Sequence, residues 1–202
     1  MYAIIYNVVS TPRDRMVVSA ALLIRERGAH ATAISDVLKH SGAPRGSAYH
    51  YFPGGRGQLL EEAIDFAGQY VAGKIAAAPN AMRLLDDLVA HYREELIRSD
   101  YRAGCPVVAV TVEAGDPDSP DRTTKLIERA AAAFSSWTSL IGQRLVAEGV
   151  SESRAEEMAM LVMTSLEGAI IVSRATRDVK PLDLVQRQLR ELLQAEISER
   201  KP

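Results

Sequence analysis

Apolar residues recur at every third or fourth position through most of this chain, and that periodicity constrains its fold more than any other feature. After Pro12, for example, the residues Val17, Ala20, Ala21 and Ile24 lie at positions i, i+3, i+4 and i+7. This spacing places four apolar side chains on one face of an α-helix. The pattern predicts an all-α fold.

Glycine, proline and capping residues divide the chain into helical segments. Thr11 and Pro12 are typical of a helix start, and Gly28 is typical of a helix end. The predicted helices cover about residues 12–27, 34–40, 44–51, 58–76, 81–99, 106–114, 120–148, 153–175 and 181–199. The valine-rich segment 107–112 has the composition of a strand, but a lone strand would have no partner here, so we expect it to be helical.

The composition is that of a soluble globular protein. The chain has 202 residues, of which 47% are apolar and 25% charged, which is enough for one large or two small domains. No apolar run approaches the roughly 18 residues that span a membrane, so we expect no membrane contact. Residues 1–10 lack the basic start and cleavage site of a signal peptide, and we interpret them as a disordered arm or an upstream start.

The single cysteine limits the possible chemistry further. Cys105 has no second cysteine with which to form an intrachain disulfide, and one thiol cannot supply a cysteine-rich zinc site. We expect no metal ion and no cofactor. A chain with one thiol and no export signal fits the reducing cytoplasm, which is the predicted location.

The charged residues are unevenly distributed, although the net charge is only −2. Residues 1–57 contain seven lysines and arginines against three acids, a net charge of +4, whereas residues 58–202 carry 17 bases and 23 acids, a net charge of −6. A basic N-terminal part on an acidic remainder is typical of a protein whose N-terminal part binds a polyanion. A solvated surface with uneven statistics gives the same numbers, so charge leaves both interpretations open.

Two short predicted helices meet at a glycine within residues 34–52. Gly42 can adopt the positive φ that a short turn between steeply crossed helices requires. Apolar residues on both sides of it can pack against the first helix. The side chains left to face outward carry polar atoms, and they are Arg45, Ser47, Tyr49 and His50. A helix with one apolar edge and one donor-rich face fits the major groove of DNA, although a simple helical hairpin has the same spacing.

The turn and the second helix carry a more specific motif. The string GAPRGSAYHYFP begins at Gly42, and a basic residue and Leu59 follow it. Together with the basic start near Arg13 and the pattern Thr32-x-Ile34-x-x-Val37, this motif resembles the TetR (tetracycline-repressor) family of transcriptional regulators over about residues 11–60. The segments PGGR at 53–56 and GCP at 104–106 further resemble the LmrA-like branch of that family.

Two positions depart from the usual family pattern. Leu38 stands where many helix-turn-helix sequences have alanine, which would hold the two helices slightly further apart. Arg56 stands where lysine is more usual, which keeps the positive charge but changes the geometry of its contacts.

The resemblance implies a set of DNA contacts. Arg45 would contact a base, and bidentate pairing with guanine would contribute roughly 1–3 kcal/mol of discrimination. Ser47 would reach a base or a phosphate, and the other residues would contact the phosphate backbone. The implied DNA-binding residues are Arg13, Thr32, Ser35, Arg45, Ser47, Tyr49, His50 and Arg56. Tyr51 and Phe52 are expected in the core instead, because a duplex exposes no base faces.

The last two predicted helices carry narrow apolar seams with alternating spacings of three and four residues. Such seams pack helices together, either in the core of one chain or between two chains. The resemblance implies a homodimer with a four-helix interface. The two helix-turn-helix domains of the dimer would read the half-sites of a palindromic operator about 34–36 Å apart. The predicted interface residues are Met158, Val162, Ser165, Ala169, Val172, Leu182, Val185, Leu189 and Leu192.

Apolar and aromatic residues in the middle of the chain would line a cavity for a small apolar or amphipathic effector. The candidates are Phe66, Tyr70, Tyr101, Cys105, Val108, Phe134, Trp137, Ile141, Met163 and Leu166. Ordinary core packing is the alternative for about half of them. An effector that binds better when the two helix-turn-helix domains are not at operator spacing would shift the dimer from a DNA-binding to a released state.

The predicted function is a DNA-binding transcriptional regulator, a repressor released from its operator by an effector, and not an enzyme. The chain has no GxSxG, HExxH, Walker or GxGxxG motif. Three alternatives stay open. Cys105 and His91 could form the thiol–base pair of an enzyme, Cys105 could be a redox sensor, or the chain could be a helical adaptor that binds protein.

These observations divide the chain into three predicted segments. Residues 1–10 lie outside the fold. Residues 11–57 form the helix-turn-helix DNA-binding domain, and residues 58–202 form a larger helical domain for effector binding and dimerisation.

Overall fold

The computed structural model describes residues 11–113 and 120–198, with side chains described from residue 123 onward in the second range. Within these ranges the chain is helical and contains no strand. The helices are α1 (Pro12–Arg27), α2 (Ile34–Ser41), α3 (Ser47–Tyr51), α4 (Gly55–Ala77), α5 (Ala81–Arg98), α6 (Pro106–Val112), α7 (Pro120–Ala147), α8 (Glu152–Thr176) and α9 (Lys180–Ser198). The all-α prediction is confirmed, and the valine-rich segment forms α6 and not a strand.

The local sequence explains where α1 begins and ends. The hydroxyl oxygen of Thr11 accepts a hydrogen bond from the backbone N–H of Asp14 at 3.1 Å. Pro12 occupies the first turn, where its missing N–H has no partner to lose. At the other end, the N–H of Gly28 donates to the carbonyl oxygen of Ile24 at 2.7 Å, and the Gly28 φ is +87°. Both ends lie where the sequence predicts them.

The first of two compact units contains the described residues of Met1–Gly68 and Pro106–Ala131. Helix α1 has a central place in it, because both α2 and α6 pack against α1. Consequently the seven successive residues from Met16 to Leu22 are all buried. The largest fully buried side chains of this unit are Met16, Ile24, Phe52, Leu59, Leu60 and Ile64.

The second compact unit contains Gln69–Cys105 and the described residues of Ala132–Pro202. Helix α9 packs against both α8 and α5, and α5 also packs against α8. The largest fully buried side chains of this unit are Ile75, Leu85, Leu96, Leu145, Met158 and Ile170.

The compact units do not follow the predicted domain boundary between residues 57 and 58. The chain divides within α4, after Gly68, and α6 belongs to the N-terminal unit because it packs against α1. No local sequence pattern indicates that α6 packs against α1, because the two helices are about 80 residues apart in the chain. The functional assignment of residues 11–57 and 58–202 stays a prediction.

Helix α8 is more apolar than the sequence analysis suggests. Among the helices of residues 11–113 and 120–198, it alone is long and apolar enough to cross a membrane, with a mean hydropathy of 1.4 over 18 residues. In this fold 39% of that window is buried, and core helices of soluble proteins have the same length and composition. Length and composition are therefore weak evidence for a membrane span.

Candidate nucleic-acid interface

The turn between α2 and α3 depends on a glycine for its backbone conformation. Gly42 has φ +67° and ψ 17°, in the left-handed region that favours glycine. A Cβ at this position would meet no atom within 4 Å, so the dihedral angle and not the available space requires glycine. The hydroxyl oxygen of Ser41 accepts a hydrogen bond from the N–H of Ala43 at 3.3 Å, which closes the turn.

Helix α3 is shorter than predicted. It begins at Ser47 and not at Pro44, because residues 44–46 still belong to the turn. The hydroxyl of Ser47 donates a hydrogen bond to the carbonyl oxygen of Pro44 at 2.6 Å. This bond fixes the end of the turn, and it leaves the oxygen of Ser47 available as an acceptor.

The two sides of α3 have opposite environments. Ala48 and Phe52 are each 1% exposed and anchor the helix in the core of the first unit. On the other side Tyr49 is 75% exposed, and His50 is also exposed. Arg45, in the turn before the helix, is exposed as well. The structure therefore leaves Arg45, Tyr49 and His50 exposed on α3 and in the turn before it, where their donors face outward.

Thr32 was expected to contact a phosphate, but its side chain is buried. The residue is 0% exposed, and its hydroxyl donates a hydrogen bond to the carbonyl oxygen of Gly28 at 2.7 Å. The hydroxyl closes the loop between α1 and α2, so Thr32 is not among the side chains that face outward. Ser35, in the first turn of α2, is exposed.

Arg56 makes contacts that the sequence does not reveal. Its Nε donates to the carbonyl oxygen of Thr32 at 2.8 Å, and one of its terminal nitrogens donates to the carbonyl oxygens of Ala29 and His30 at 2.5 and 2.9 Å. A guanidinium group has five N–H donors in a fixed fork, whereas an ammonium group is a single point. These contacts explain arginine at a position where lysine was expected, and they direct Arg56 towards the loop between α1 and α2.

Arg13 is also engaged within the first unit. Its guanidinium forms an ion pair with the carboxylate of Glu62 on α4, with oxygens at 2.7 and 2.8 Å. It also lies 5.1 Å from the ring centroid of Phe52. Arg13 thus joins α1 to α4, although 40% of its side chain stays exposed.

Comparison with known proteins decides what kind of protein this is. The family described as "Bacterial regulatory proteins, tetR family" matches residues 17–63, which include the α2–α3 pair. The family described as "Transcriptional regulator LmrA/YxaF-like, C-terminal domain" matches residues 81–188. This chain belongs to the TetR family. Both the motif at residues 42–53 and the resemblance to the LmrA-like branch are confirmed.

Individual TetR-family proteins are similar over nearly the whole chain. An uncharacterized HTH-type transcriptional regulator of Mycobacterium tuberculosis is 61% identical over 189 residues, which cover 94% of this chain and 97% of that protein. The HTH-type transcriptional regulator LmrA of Bacillus subtilis is 30% identical, over 84% of this chain and 90% of its own length. The crystal structure of regulatory protein TetR from Rhodobacter sphaeroides shares the fold, with a TM-score of 0.72, 21% identity and coverage of 90% and 98% of the two chains.

As a member of the TetR family, the protein is a DNA-binding transcriptional regulator and not an enzyme. The exposed residues Arg45, Tyr49 and His50 lie within residues 17–63, the part of the chain that matches the TetR family. In the residues that the structure describes, no group of three His, Cys, Asp or Glu side chains is placed to hold a metal ion.

The predicted effector residues of this TetR-family protein do not share one environment. Cys105, Trp137, Ile141 and Leu166 are buried, and the other six are half-buried. Phe66 and Val108 belong to the first unit, and the remaining eight to the second. Two ring contacts in the second unit involve these candidates: Tyr70 lies 5.7 Å from His91, and Phe134 lies edge-on to Trp137 at 5.5 Å. Tyr101 instead stacks under Arg177 at 5.7 Å.

Most of the predicted interface seam lies in the protein's own core. The buried members are Met158, Val162, Ala169, Leu182 and Leu189, while Ser165 and Val185 are half-buried. Only Val172 and Leu192 of the predicted set are exposed, at 47% and 43%. The prediction is therefore wrong for the five buried residues. A spacing of three and four residues is the same for a core seam and for an interface seam, so the pattern cannot distinguish them.

The exposed apolar residues of α8 and α9, which include Val172 and Leu192 of the predicted set, form a face that we call the outer stripe. Its exposed fractions range from 41% to 50% for the large apolar members. The outer stripe consists of Met160, Leu161, Thr164, Gly168, Ile171 and Val172 on α8, and of Leu184 and Leu192 on α9.

The sequence analysis missed one titratable residue of the second unit, Glu167. Its carboxyl oxygen Oε2 is buried and has no hydrogen-bond partner among the described residues. Burial raises the pKa of Glu167 to about 7, and a hydrogen bond from Cys105 opposes that shift. The sequence feature that could have identified Glu167 is the presence of an acid in the otherwise uncharged stretch 158–172.

Proposed function

We propose that this TetR-family protein is a cytoplasmic, homodimeric repressor that binds a palindromic operator and is released by a small apolar or amphipathic effector. The observation that carries the proposal is the two-sided character of α3. Its core side is fixed by Ala48 and Phe52, and its outer side presents Tyr49 and His50, next to the exposed Arg45. A short helix that is anchored on one side and donor-rich on the other can enter the major groove.

The proposed contacts follow from what each side chain can donate. Arg45 reads a base through its guanidinium fork, while Tyr49 and His50 bind phosphates. Ser35 and Ser47 add hydroxyl contacts on either side of the turn. Arg13 keeps enough exposure to reach an outer phosphate.

Thr32 and Arg56 have a different proposed role from the one first expected. The Thr32 hydroxyl bonds Gly28, and the Arg56 guanidinium bonds the carbonyl oxygens of the same loop. Both residues therefore support the loop that leads into α2. We propose that they orient the DNA-binding helices and that Arg56 acts on the phosphates chiefly through its charge.

The outer stripe supports the homodimer. Its large apolar side chains are about half exposed and lie on two helices that pack against each other, and exposed apolar surface of this kind marks protein interfaces. Gly168 in the middle of the patch has open space around its missing Cβ, so a second backbone can approach closely. A second copy of this chain offers the same patch, and two helices from each copy would form an isologous four-helix contact.

Release by an effector requires a difference in affinity between two states of the dimer. A nearly complete switch needs about 5.5 kcal/mol of differential binding. The second unit contains the buried aromatic and polar groups that could provide it, among them Trp137, His91 and Glu167.

The redox alternative finds less support. Reactive cysteines are usually partly exposed and lie in positively charged surroundings. Cys105 is 4% exposed and faces the carboxyl group of Glu167. The Cys105–His91 pair of the enzyme alternative finds no support in the family comparison, since the matching families are regulators.

The test is selection of binding sites from a random duplex pool with purified full-length protein at about 0.1 M salt, since protein–DNA affinity depends steeply on salt. We expect an enriched palindrome whose binding is lost in Arg45→Ala. Arg102→Ala removes the same charge from an exposed position of the second unit and is the matched control. No enriched sequence, or an equal loss in both variants, would contradict the proposal.

A further inference from the structure

Glu167 lies in an apolar stretch of α8, and its carboxyl group has few hydrogen-bond partners. On the same helix, Leu166 is 5% exposed and Ile170 is 2% exposed. The oxygen Oε2 of Glu167 is buried without a hydrogen-bond partner, and the thiol of Cys105 is the donor to the carboxyl group. A carboxylate offers about four acceptor positions, and a thiol is a weak donor. The acceptor capacity of Glu167 is therefore largely unused.

An unused buried carboxylate is unfavourable for the fold. Burying a charge with few partners destabilises the folded state, and a neutral residue of similar size would avoid that penalty. The residue as a whole is half-buried, so solvent reaches part of its stem although it does not reach Oε2. A carboxyl group in such a place is typical of a site whose partner arrives from outside.

The negative charge of the Glu167 carboxylate itself indicates which partner is favoured. The second unit carries 14 bases and 15 acids, so its other charges balance and do not oppose a cation at Glu167. A buried carboxylate attracts a cationic donor and repels an anion. A protonated amine would also form a charge-assisted hydrogen bond with Oε2, which is roughly twice as strong as a neutral one.

We propose that the Glu167 carboxyl is the recognition group for the effector, and that the effector is an apolar molecule carrying a protonated amine. The amine donates to Oε2, the carboxyl oxygen that has no other partner among the described residues, while the thiol of Cys105 stays the donor to the carboxyl's other side. The apolar part of the molecule packs among the buried residues of the second unit. This inference rests on the proposed control by an effector, and it names the chemical class of that effector.

The position of Cys105 connects this site to the DNA-binding unit along the chain. Cys105 directly precedes α6, and Glu113 directly follows the other end of that helix. The carboxylate of Glu113 accepts a hydrogen bond from the backbone N–H of His30 at 3.1 Å. His30 lies in the loop between α1 and α2. Along the chain, α6 thus runs between the residue that donates to the Glu167 carboxyl and the acid that holds the loop before α2.

The test compares amines with their neutral counterparts in calorimetric titrations of the full-length protein. The probes are three pairs on aryl frames of increasing size: benzylamine and benzyl alcohol, 2-naphthylmethylamine and 2-naphthylmethanol, and 4-phenylbenzylamine and 4-phenylbenzyl alcohol. At about pH 7.5 the amines are protonated. We expect at least one amine to bind about tenfold more tightly than its alcohol, which is the effect of about 1.4 kcal/mol.

Two variants locate the effect. In Glu167→Gln the preference for the amine should fall to about onefold, since an amide attracts no cation. In Glu156→Gln, which removes an exposed acid from the same helix, the preference should be unchanged. Circular dichroism shows whether Glu167→Gln folds. If it does not fold, the comparison of amines with alcohols in the wild type still tests the inference.

Three results would overturn the inference: no amine preferred over its alcohol by the wild type, a preference retained in Glu167→Gln, or an equal loss in Glu156→Gln. The selection of an operator from the random duplex pool is measured in the absence of the amines and alcohols, so it tests the proposed function separately. A protein that selects an operator but does not distinguish amine from alcohol contradicts the inference alone, and a protein that selects no operator contradicts the proposed function.

Discussion

The carboxylate of Glu113 lies directly over Gly28 and accepts a hydrogen bond from the backbone N–H of His30 at 3.1 Å. A Cβ on Gly28 would come within 1.6 Å of the Glu113 Oε1 atom. The missing side chain of Gly28 thus makes room for the acid that follows α6. Together with the contacts of Arg56 on α4, this arrangement holds the loop between α1 and α2 from two sides.

Substitution of Gly28 should therefore destabilise the first unit. The φ of +87° and ψ of 165° lie in a region that is essentially restricted to glycine, so Gly28→Ala should cost about 1–3 kcal/mol in addition to displacing Glu113. Urea unfolding measures the loss. The matched control is Gly73→Ala, at an exposed position inside α4 with open space around it, which should stabilise the protein by about 0.5–1 kcal/mol. Equal stability of Gly28→Ala and the wild type would contradict this account.

Lysine at position 56 should not preserve the stability that Arg56 provides. The guanidinium binds the carbonyl oxygens of Thr32, Ala29 and His30 through two of its nitrogens, and a single ammonium group cannot reproduce that fork. We expect Arg56→Lys to lower the free energy of unfolding by about 1–2 kcal/mol, since hydrogen bonds to a partly exposed charged group are partly screened. Arg102→Lys, at an exposed site, should change nothing. Full stability in Arg56→Lys would show that charge alone matters at this position.

Tyr49 and Phe52 should respond in opposite ways to truncation. Tyr49 is 75% exposed, so Tyr49→Ala should leave the melting temperature unchanged and lower operator affinity about tenfold, through the loss of a phosphate contact. Phe52 is 1% exposed, so Phe52→Ala should cost about 3–5 kcal/mol of stability. Thermal melting and titration of labelled operator DNA separate the two effects. A large drop in melting temperature for Tyr49→Ala would place that ring in the core.

A charge in the outer stripe should separate the proposed dimer. Leu161 is 41% exposed, and Leu161→Asp would place an unpaired charge in an apolar contact. We expect light scattering to find a monomer at micromolar concentration and operator binding to fall with it. Val146→Asp, on α7 and also 41% exposed, is the matched control and should stay dimeric. A dimeric Leu161→Asp protein would exclude the outer stripe as the interface.

The raised pKa of Glu167 makes stability depend on pH. The pKa is about 7 in the folded protein against an ordinary value of 4.5, so between these values the folded state binds more protons than the unfolded state. Stability from this group is therefore lost as pH rises from about 4.5 to about 7, by up to about 3 kcal/mol. Glu167→Gln should match the wild type near pH 5 and be more stable near pH 8. Glu156→Gln should show no such difference between the two pH values, and an equal effect at both in Glu167→Gln would contradict the assignment.

Residues close to each other in the chain determined the helices and the family motif, and both could therefore be predicted. Thr11, Pro12 and Gly28 set the ends of α1 through bonds to residues within four positions. Gly42 set the turn through its own φ. Caps and turns depend on short-range hydrogen bonds and on backbone sterics, so the sequence alone determines them.

Only the tertiary structure decided which side of each helix is used and where the polar groups find partners. Helix α8 has more apolar residues than one face can hold, so its periodicity could not tell the core residue Val162 from the exposed Leu161. The contacts of Arg56 with the loop before α2, and the burial of Glu167, depend on segments that are distant in sequence. Packing against such segments fixes the direction of a side chain, and no local pattern encodes it.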